Sequence, residues 1–494
     1  MRSGSKGEFN KYEALVKISL NRGIFIPSFE IYGGLSGFYD YGPVGTRIKN
    51  KLVSEWRRFY VEEEGALEVS TTTILPEEVL KASGHIESFA DPIAICGRCG
   101  RAYRADHLLS DRGIRVFEAT PVEELTRLIR ENNVRCPACG GEFNTVEKHN
   151  LLFGLTVGPY VTKKKAYLRP ETCQGIFILF KRLFLYNRQK LPMFTAQIGR
   201  SYRNEISPRK GVIRLREFEQ MELEVFVDPE NKTHPRFNLV RDEKLKLITE
   251  DGDELAVTAG ESVKEELVAN EMLAYLLAKS KIFFRRLGIP EERIRFRQPP
   301  KDERPFYAID TWDTEIYTEA FGWVEVVANN DRGDHDLTCH MKLSGEDLTV
   351  RIGGREFIPH VIESSFGVDR PLYCVLENAV TDDGRGWVFL RLKPLIAPWH
   401  VFVFPLLSKP PLIKKAVEVK DKLAREGLEV GYSDTGSIGK RYARADEIGV
   451  PYCVTIDYDT FKDDTVTVRD RDTRKQVRVR VSELPAYIKG LVSG

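Results

Sequence analysis

The sequence lacks long apolar runs and carries almost no net charge. No segment offers the roughly 20 consecutive apolar residues that a membrane-spanning helix needs. The N-terminal stretch MRSGSKGEFNKYEALVKISL also lacks the apolar core of a secretory signal, so we expect a cytoplasmic protein. The chain has 74 basic and 73 acidic residues, a net charge of +1. Binding to a polyanion would therefore depend on local basic patches and not on an overall positive field.

The sequence also lacks the usual patterns of nucleophilic catalysis. There is no Ser/His or Cys/His arrangement typical of hydrolases, no metalloprotease motif and no kinase motif. The stretch GSIGKR at 436–441 has the wrong spacing for a phosphate-binding loop. The length of 494 residues and the hydrophobic content of 42% indicate two or three globular domains with ample cores.

Cysteine is scarce, but four of the 8 cysteines form two CxxCG motifs. Cys96 and Cys99 belong to the first motif, and Cys136 and Cys139 belong to the second. Four thiolates are a common ligand set for structural zinc, and the glycine after each pair lets backbone amides turn toward sulfur. Reduced thiols without metal are the alternative, since disulfides are unexpected without a secretion signal. The long separation of the two motifs predicts an inserted helix at about 121–130.

The segment 199–227, GRSYRNEISPRKGVIRLREFEQMELEVFV, is the most informative part of the chain. Two strand-like stretches flank a polar loop at 207–211, which predicts a hairpin. Alternation along a strand places Arg203 and Glu205 on one face of the first strand. The second strand is apolar on one face, and its other face carries Arg214, Arg216, Phe218, Gln220, Glu222 and Glu224.

The polar face of this hairpin has the groups that recognise a nucleotide. A guanidinium pairs with phosphate, an aromatic ring stacks on a base, and a carboxylate accepts a hydrogen bond from an exocyclic amine. An ordinary antiparallel pair with one solvated face is the alternative interpretation.

Five blocks of sequence, in order, resemble class II aminoacyl-tRNA synthetases, specifically the glycyl enzymes of the archaeal and eukaryotic type. RNEISPR with REFEQMELEVF is similar to motif 2 of that family. GGLSGFYDYGPVGTRIKNKLVSEWRRFYVEEEGALEVSTTTILP resembles motif 1, and PHVIESSFGVDRPLYCVLENA resembles motif 3. YLRPETCQG is similar to the Arg-Pro-Glu-Thr block, and the stretch 394–479 resembles the anticodon-binding domain.

The resemblance implies an α+β fold with an antiparallel catalytic sheet flanked by helices. It implies a catalytic domain at 1–90 and 148–390, a zinc-binding insertion at 91–147, a second insertion at 228–305 and an α/β anticodon-binding domain at 391–494. From the residues, we predict helices at 46–64, 262–287 and 366–378 and a strand at 357–363. In this family the motif 1 helix and the strand after it form the interface of a homodimer.

The same resemblance implies how ATP would be bound. Arg203 would hold the α-phosphate and the substrate carboxylate, and Glu205 would read the adenine amino group. Phe218 would stack on adenine, with Arg370 on its other face near the γ-phosphate and one turn into a helix. Arg214 would be a further phosphate ligand. Mg²⁺ would bridge the phosphates near Glu325 or Glu363. The catalytic residues in this interpretation are Arg203 and Arg370.

Selection of glycine follows a simple physical logic. Every competing amino acid is larger, so a pocket with no room at the α-carbon excludes them without an editing site. The carboxylates that face the ammonium in this family match Glu171, Glu222 and Glu363, with the hydroxyl of Ser365 beside them. Each glutamate taken singly could instead be an exposed strand residue. The resemblance implies ATP-dependent attachment of glycine to tRNA(Gly) through a glycyl-adenylate.

This chain departs from the family pattern at a few positions close to those motifs. Ala328-Asn329-Asn330 stands where the family has Gly, an aliphatic residue and Ala. Ser364 replaces a proline, and Cys173 replaces an alanine. If the first change intrudes on the site, placement of ATP or of the tRNA terminus could differ.

The C-terminal stretch VTVRDRDTRKQVRVRV is the best local basic patch for tRNA. It predicts a hairpin that carries Arg469, Arg471, Arg474, Lys475, Arg478 and Arg480. The alternative is a solvated sheet edge that is protected by charge.

Other functions remain open on sequence grounds. The nearest rivals are the prolyl, threonyl, seryl and histidyl synthetases, which the three glutamates disfavour. A synthetase-like binding protein without catalysis would lose its phosphate-holding arginines. A zinc-ribbon nucleic-acid-binding factor would leave the nucleotide motifs unexplained.

Overall fold

A computed structural model describes residues 9–114, 116, 120–159, 163–206, 208, 211–301, 303–304, 307–384 and 386–493. Three residues of the predicted hairpin loop, at 207, 209 and 210, lie outside this part. Among the described residues, no helix is both long and apolar enough to cross a membrane.

A sheet of nine strands, mostly antiparallel, forms the centre of the protein. In spatial order its strands are Glu254–Thr258, Lys244–Ile248, Ile294–Arg297, Asp310–Thr318, Gly322–Gly333, His360–Gly367, Glu217–Val227, Met193–Tyr202 and Leu67–Val69. Only the pairing of Leu67–Val69 with Met193–Tyr202 and that of Lys244–Ile248 with Ile294–Arg297 are parallel. The predicted α+β class with an antiparallel catalytic sheet is therefore confirmed. Strands of the segment 228–305 hydrogen-bond within this sheet and do not form a separate lobe.

Two helices pack on one face of the sheet and fill the main core. Pro43–Trp56 continues as a π-helical turn at Arg57–Glu62, so the helix predicted at 46–64 is present and Pro43 occupies its first turn. Glu271–Arg286 is almost wholly buried against it. The helix predicted at 262–287 is in fact two, Ala259–Lys264 and Glu271–Arg286, because Asn270 caps the second one.

The boundaries predicted around motif 3 were wrong. The strand is His360–Gly367 and the helix is Asp369–Ala379, so Phe366 lies in the strand. Phe366 is fully buried among the rings of the core, where a strand side chain reaches the two packed helices. The predicted helix began at residue 366, three residues before the observed start at Asp369.

The cysteine-containing segment forms a small module with its own core. Its strands are Ala90–Cys96, Ala102–Arg104 and Phe143–Asn150, and its helices are Ala105–Ser110 and Val122–Glu131. The predicted inserted helix is thus present, with Pro121 as its N-cap. A second three-stranded sheet next to the module contains Ile74–Pro76, Lys164–Leu168 and Phe153–Val157.

The C-terminal region is the predicted small α/β domain with a mixed sheet. Its strands, in spatial order, are Val430–Tyr432, Val401–Pro405, Tyr452–Ile456, Thr465–Asp470 and Gln476–Arg480. The helices are Pro410–Arg425, Ile438–Glu447, Thr460–Asp463 and Leu484–Ser493. The guanidinium of Arg47, on the helix Pro43–Trp56, lies 4.6 Å from the ring of Trp399 and joins the two domains.

Smaller elements complete the part of the protein that precedes residue 391. The remaining helices are Lys11–Arg22, Glu77–Ala82, His85–Ser88, Cys173–Tyr186 and His335–Ser344. The remaining strand pairs are Phe25–Pro27 with Tyr39–Tyr41, Val350–Ile352 with Arg355–Phe357 and Val380–Asp382 with Val388–Leu390.

Candidate functional site

One cavity of about 210 Å³ opens at the end of the predicted hairpin. The hairpin pairs Met193–Tyr202 with Glu217–Val227 in a regular antiparallel register. The cavity is lined by all ten residues that the sequence analysis assigned to ATP and glycine: Glu171, Arg203, Glu205, Arg214, Phe218, Glu222, Glu325, Glu363, Ser365 and Arg370. Residues from distant parts of the chain therefore meet in one space.

Arg203 and Phe218 form the first wall of the cavity. The guanidinium of Arg203 lies 5.4 Å from the Phe218 ring and 5.3 Å from the Phe89 ring. Its Nε donates a hydrogen bond of 3.1 Å to the carbonyl of Pro170. The other two guanidinium nitrogens of Arg203 can therefore donate hydrogen bonds to a phosphate without breaking the hydrogen bond to Pro170.

Arg370 lies at the start of the helix Asp369–Ala379, in its first turn and not one turn further in. Its Nε donates to the carbonyl of Ile213 at 3.0 Å, and its Nη1 lies 3.2 Å from the carboxylate of Glu325. Both contacts hold the guanidinium beside the N-terminal end of the helix, where the helix dipole favours anions.

Arg214 lines the cavity but does not lie in a strand. Residues 211–213 form a short 3₁₀ turn, and the second hairpin strand begins only at Glu217. The prediction that Arg214 and Arg216 continue the strand was therefore wrong, although Arg214 still lies 3.9 Å from the carboxylate of Glu205. Arg216 Nε donates to the backbone carbonyl of Glu205 at 3.0 Å, which fixes this corner.

The three predicted ammonium-facing carboxylates are buried at the other end of the cavity. Glu222 accepts hydrogen bonds from Thr172, from Ser365 at 2.9 Å and from Gln220 at 2.9 Å. The register of strands His360–Gly367 and Glu217–Val227 places Ser365 directly opposite Glu222.

Glu171 and Glu363 have different partners. Glu171 accepts from Gln174 at 2.9 Å and from the thiol of Cys173 at 3.0 Å, and His85 Nε2 lies 3.5 Å away. Glu363 accepts from Arg332 at 3.1 Å and from Asn330. We call the cluster of Glu171, Glu222 and Glu363 the acidic pit.

The electrostatics of the acidic pit favour a cation. Burial, together with the charges of Glu363 and Glu171, raises the pKa of Glu222 to about 7. Burial likewise raises the pKa of Glu363, although Arg332 opposes the shift. Burial also opposes ionisation of Glu171, but the charge and hydrogen bond of His85 hold its pKa well below the ordinary value. A bound ammonium would relieve the repulsion among these carboxylates.

The residues that depart from the family pattern contact one another or residues of the acidic pit. Ser364 donates to Asn329 at 2.8 Å across neighbouring strands, so these two substitutions complement each other. Cys173 contacts Glu171, and Asn330 contacts Glu363. Strand alternation placed Gln220 on the polar face of the hairpin without a role, whereas Asn330, Tyr307 and Asp369 were not predicted as cavity residues. Asp369 precedes the predicted Arg370, but Asn330 and Tyr307 reach the cavity only because distant segments of the chain fold together.

The four cysteines of the CxxCG motifs converge. Their Sγ atoms lie within 4.8 Å of one another. Gly100 and Gly140 both adopt left-handed backbone conformations, with φ of 68° and 70°, and each donates its amide to the carbonyl of the first cysteine of its motif. Two identical turns carrying four sulfurs in one cluster fit a tetrahedral metal ion.

The basic C-terminal hairpin differs from its prediction in two residues. Arg469 is buried and makes two hydrogen bonds to Asp446, at 2.8 and 2.9 Å. Arg471 is buried and donates to the carbonyls of Gly449 and Leu392. These arginines hold the domain together and do not present charge to a ligand. Lys475 and Arg480 are exposed, and Arg474 and Arg478 pair with Asp383 and Asp457.

Solved structures of a prolyl- and a threonyl-tRNA synthetase resemble this fold. A Giardia lamblia prolyl-tRNA synthetase in complex with prolyl-adenylate matches 96% of this chain and 74% of its own length, with a TM-score of 0.62 and 16% identity. A Cryptosporidium parvum structure described as the RNA binding domain of threonyl-tRNA synthetase matches 96% and 97%, with a TM-score of 0.62 and 18% identity. These likenesses establish the fold alone.

The sequence is similar to two family models and to one family of ligases. Residues 160–247 match the tRNA synthetase class II core domain (G, H, P, S and T), and residues 400–491 match the anticodon binding domain. The glycine–tRNA ligase of Pyrococcus horikoshii is 44% identical over 99% of this chain and 100% of its own length. That of Methanocaldococcus jannaschii is 41% identical over 97% and 98%. The chain belongs to the glycine–tRNA ligase family.

Proposed function

We propose that the cavity performs the reaction of this family, the ATP-dependent attachment of glycine to tRNA(Gly) through a glycyl-adenylate. One observation carries the proposal: a single cavity joins an arginine-rich, aromatic wall to a buried acidic pit. The first suits a nucleotide triphosphate and the second suits a small ammonium. No protein nucleophile is needed, since both chemical steps use groups that the substrates supply.

In the first step, an oxygen of the glycine carboxylate bonds to the α-phosphorus of ATP while the bond to pyrophosphate breaks. Arg203 stabilises the charge that grows on the α-phosphate and aligns the attacking carboxylate. Arg370 neutralises the leaving pyrophosphate from the helix N-terminus. In the second step, the oxygen of a 3′-terminal hydroxyl of the tRNA bonds to the acyl carbon with release of its proton, while the bond from that carbon to the phosphate oxygen of AMP breaks and AMP leaves. Placement and charge neutralisation account for both steps.

The adenine and the amino acid occupy opposite ends of the cavity. Phe218 stacks on the base, Glu205 accepts from the exocyclic amine, and Arg214 adds a phosphate contact. Glu171, Glu222 and Glu363 bind the glycine ammonium, with Ser365 orienting Glu222. A side chain on the α-carbon would have to enter a space already occupied by these buried groups, which excludes alanine and larger substrates.

The residues beside Arg370 fit Mg²⁺ on the phosphates. Glu325 is half exposed at the cavity wall, whereas Glu363 is buried and paired with Arg332. Asp313 lies near Glu325: burial, followed by the charges of Glu325 and Glu315, raises the pKa of Asp313 well above its ordinary value. We therefore assign Glu325 as the nearer carboxylate. Mg²⁺ on the phosphates would lower the repulsion that opposes attack.

Zinc is proposed for the module at 91–147, held by Cys96, Cys99, Cys136 and Cys139. The four-sulfur donor set and the paired glycine turns fit a structural ion and leave no ligand position open to a substrate. The domain division follows as part of the same proposal: a catalytic domain at 1–90 and 148–390, the zinc module at 91–147, the segment 228–305 within the catalytic domain, and a tRNA-binding domain at 391–494.

A homodimer is proposed through the helix Pro43–Trp56 and the strand Leu67–Val69. This strand is the last one in the nine-stranded sheet, and in the described residues it pairs only on its side toward Met193–Tyr202. An open edge strand is a natural place for a second copy to pack. Light scattering of the purified protein would report twice the chain mass.

ATP–pyrophosphate exchange with glycine, alanine, serine and proline tests the proposed function. We expect exchange with glycine alone and subsequent charging of tRNA(Gly). Exchange with proline or serine would indicate one of the related synthetases. Absence of exchange with every amino acid, in protein that binds tRNA, would indicate a binding protein without catalysis.

A further inference from the structure

Asn330 is a buried carboxamide at the acidic pit. It lies on the strand Gly322–Gly333, directly opposite Glu363 in the register of the sheet. Only 2% of the residue is exposed, and it lines the cavity. Its Nδ2 donates to the carboxylate of Glu363 at 2.6 Å. Since a carboxylate accepts and does not donate, this contact orients the amide and directs Oδ1 away from Glu363.

Oδ1 of Asn330 has no hydrogen-bond partner among the described residues. A buried acceptor without a donor is costly, and proteins retain few of them. The neighbouring groups in the pit are mostly acceptors as well, namely the carboxylates of Glu171, Glu222 and Glu363. The occupant that satisfies this environment must therefore bring several donors and a positive charge.

Gln220 has the same arrangement on the other side of the strand His360–Gly367. Its Nε2 donates to Glu222, and its Oε1 is buried without a partner in the part of the chain that the structure describes. Each of the two strands that flank His360–Gly367 thus contributes a carboxamide. In each one the nitrogen donates a hydrogen bond to a carboxylate of the acidic pit, and the oxygen has no donor among the described residues. Both residues line the same cavity, so a ligand in the cavity can reach both oxygens.

We propose that Asn330 is a further substrate-binding residue: its Oδ1 accepts a hydrogen bond from the ammonium of the amino acid while its Nδ2 holds Glu363. The inference rests on the proposed function, since it assigns a ligand within that same pocket. Glu363 already accepts from Arg332 and Asn330, so it contributes mainly charge. Asn330 supplies an additional directed acceptor for the three protons of an ammonium.

The test compares Asn330→Ala with Asn329→Ala. Asn329 is the adjacent, fully buried asparagine, and it hydrogen-bonds Trp312, Thr314 and Ser364 without lining the cavity. We expect the glycine KM in pyrophosphate exchange to rise roughly 10- to 100-fold in Asn330→Ala, as for other hydrogen bonds to charged groups. The ATP KM should stay within about twofold. Asn329→Ala should lower the Tm and leave the glycine KM within about twofold.

Asn330→Asp separates direct binding from positioning. At pH 8 it keeps an acceptor oxygen of the same size, but its carboxylate repels Glu363. Direct binding predicts a glycine KM below that of Asn330→Ala, whereas a residue that only positions Glu363 predicts a KM equal to or above it. The latter result would overturn the proposal.

Two other results would also contradict direct binding. An unchanged glycine KM in folded Asn330→Ala would show that Asn330 does not bind glycine. A gain of alanine exchange at an unchanged glycine KM would make Asn330 a steric gate. Failure of the proposed function is recognised separately, since the wild-type protein would then show no glycine-dependent exchange.

Discussion

The two ends of the cavity are built in opposite ways. At the end that we propose binds the nucleotide, Arg203 and Arg370 are partly exposed and contact backbone carbonyls, an aromatic ring or the half-exposed Glu325. At the end that we propose binds glycine, Glu222 and Glu363 are 1% and 3% exposed and accept hydrogen bonds from Ser365 and Arg332. The nucleotide groups can exchange one partner for another at little cost, whereas the pit groups are fixed before the substrate arrives.

The difference follows from the size of each substrate. ATP offers many contacts, so a few adaptable cations suffice and Mg²⁺ shares the charge. Glycine offers only an ammonium, a carboxylate and two hydrogens, so its site must be preorganised and small. Preorganisation has a cost, which is visible as the raised pKa of Glu222 and Glu363. The substrate ammonium offsets that cost on binding.

The largest effect should come from Arg203→Ala. A growing phosphoryl charge loses its fixed partner, which typically costs on the order of 3 kcal/mol or more. Glycine-dependent pyrophosphate exchange should fall at least about 100-fold, with the Tm little changed. Arg200→Ala is the matched control, since Arg200 lies near the end of the strand Met193–Tyr202, three residues before Arg203, but its side chain is 61% exposed and pairs with Glu217. Near-normal exchange in folded Arg203→Ala would remove this arginine from the mechanism.

The second prediction tests whether the two ends are independent. Glu222→Gln keeps size and an acceptor but deletes a charge, so the glycine KM should rise by an amount equivalent to roughly 1.5–3 kcal/mol. The ATP KM should change little, and the Tm should not fall because a buried charge has been removed. Glu217→Gln makes the same chemical change outside the cavity and should alter neither KM.

An equal loss of ATP and glycine affinity in Glu222→Gln would place Glu222 in the nucleotide site. The division of the cavity into two ends would then be wrong. Alanine should remain excluded in this variant, because the volume of the pit and not the charge of Glu222 rejects a methyl group.

The third prediction uses pH. Glu222 must be ionised to bind an ammonium, and its raised pKa of about 7 means that it is largely protonated at pH 6 and largely ionised at pH 8. The glycine KM should therefore be roughly tenfold higher at pH 6 than at pH 8, and the ATP KM should be flat. Because the bound ammonium lowers the pKa of Glu222, which is about half protonated at pH 7, glycine binding at that pH should release up to about half a proton.

Calorimetry in two buffers of different ionisation enthalpy measures that proton. In Glu222→Gln the release should disappear. A glycine KM that is independent of pH between 6 and 8 would show that Glu222 is already ionised in the free protein.

Much of the site was predictable because it depends on local patterns. Alternation along one strand placed Phe218 and Glu222 on the same face, and the CxxCG spacing predicted the sulfur cluster. The resemblance added Glu171, Glu363 and Arg370 from distant segments, and all three line the cavity.

The sequence did not predict features that depend on which strands become neighbours. Asn330 meets Glu363 only because Gly322–Gly333 pairs with His360–Gly367, a register that neither segment encodes alone. Arg469 and Arg471 looked like surface charge, since an alternating arginine pattern does not reveal that Asp446 and the carbonyl of Leu392 lie opposite them. The sequence pattern therefore did not reveal which charged side chains are buried, as Arg469 and Arg471 are.

The smallest catalytic effect should come from the zinc module, which contacts residues near the nucleotide end of the cavity and touches the acidic pit only through His85 in the part of the chain that the structure describes. Asn204 donates its amide to the carbonyl of Leu151 just after the module, and Arg104 pairs with Asp91, whose pKa is raised by burial and, in part, by the charge of Glu205. The double variant Cys136→Ser, Cys139→Ser should lose its metal, and the module should unfold first because metal binding and local folding are coupled. Elemental analysis of the wild type should find about one Zn²⁺ per chain, and Cys339→Ser, a cysteine outside the cluster, should retain it.

We expect the ATP KM to rise only about two- to fivefold, equivalent to about 0.5–1 kcal/mol, because the module supports the nucleotide end through weak, partly exposed interactions. The glycine KM should not change. A larger effect on glycine than on ATP would show that the acidic pit depends on the module, and metal-free wild-type protein of normal stability would contradict the zinc assignment.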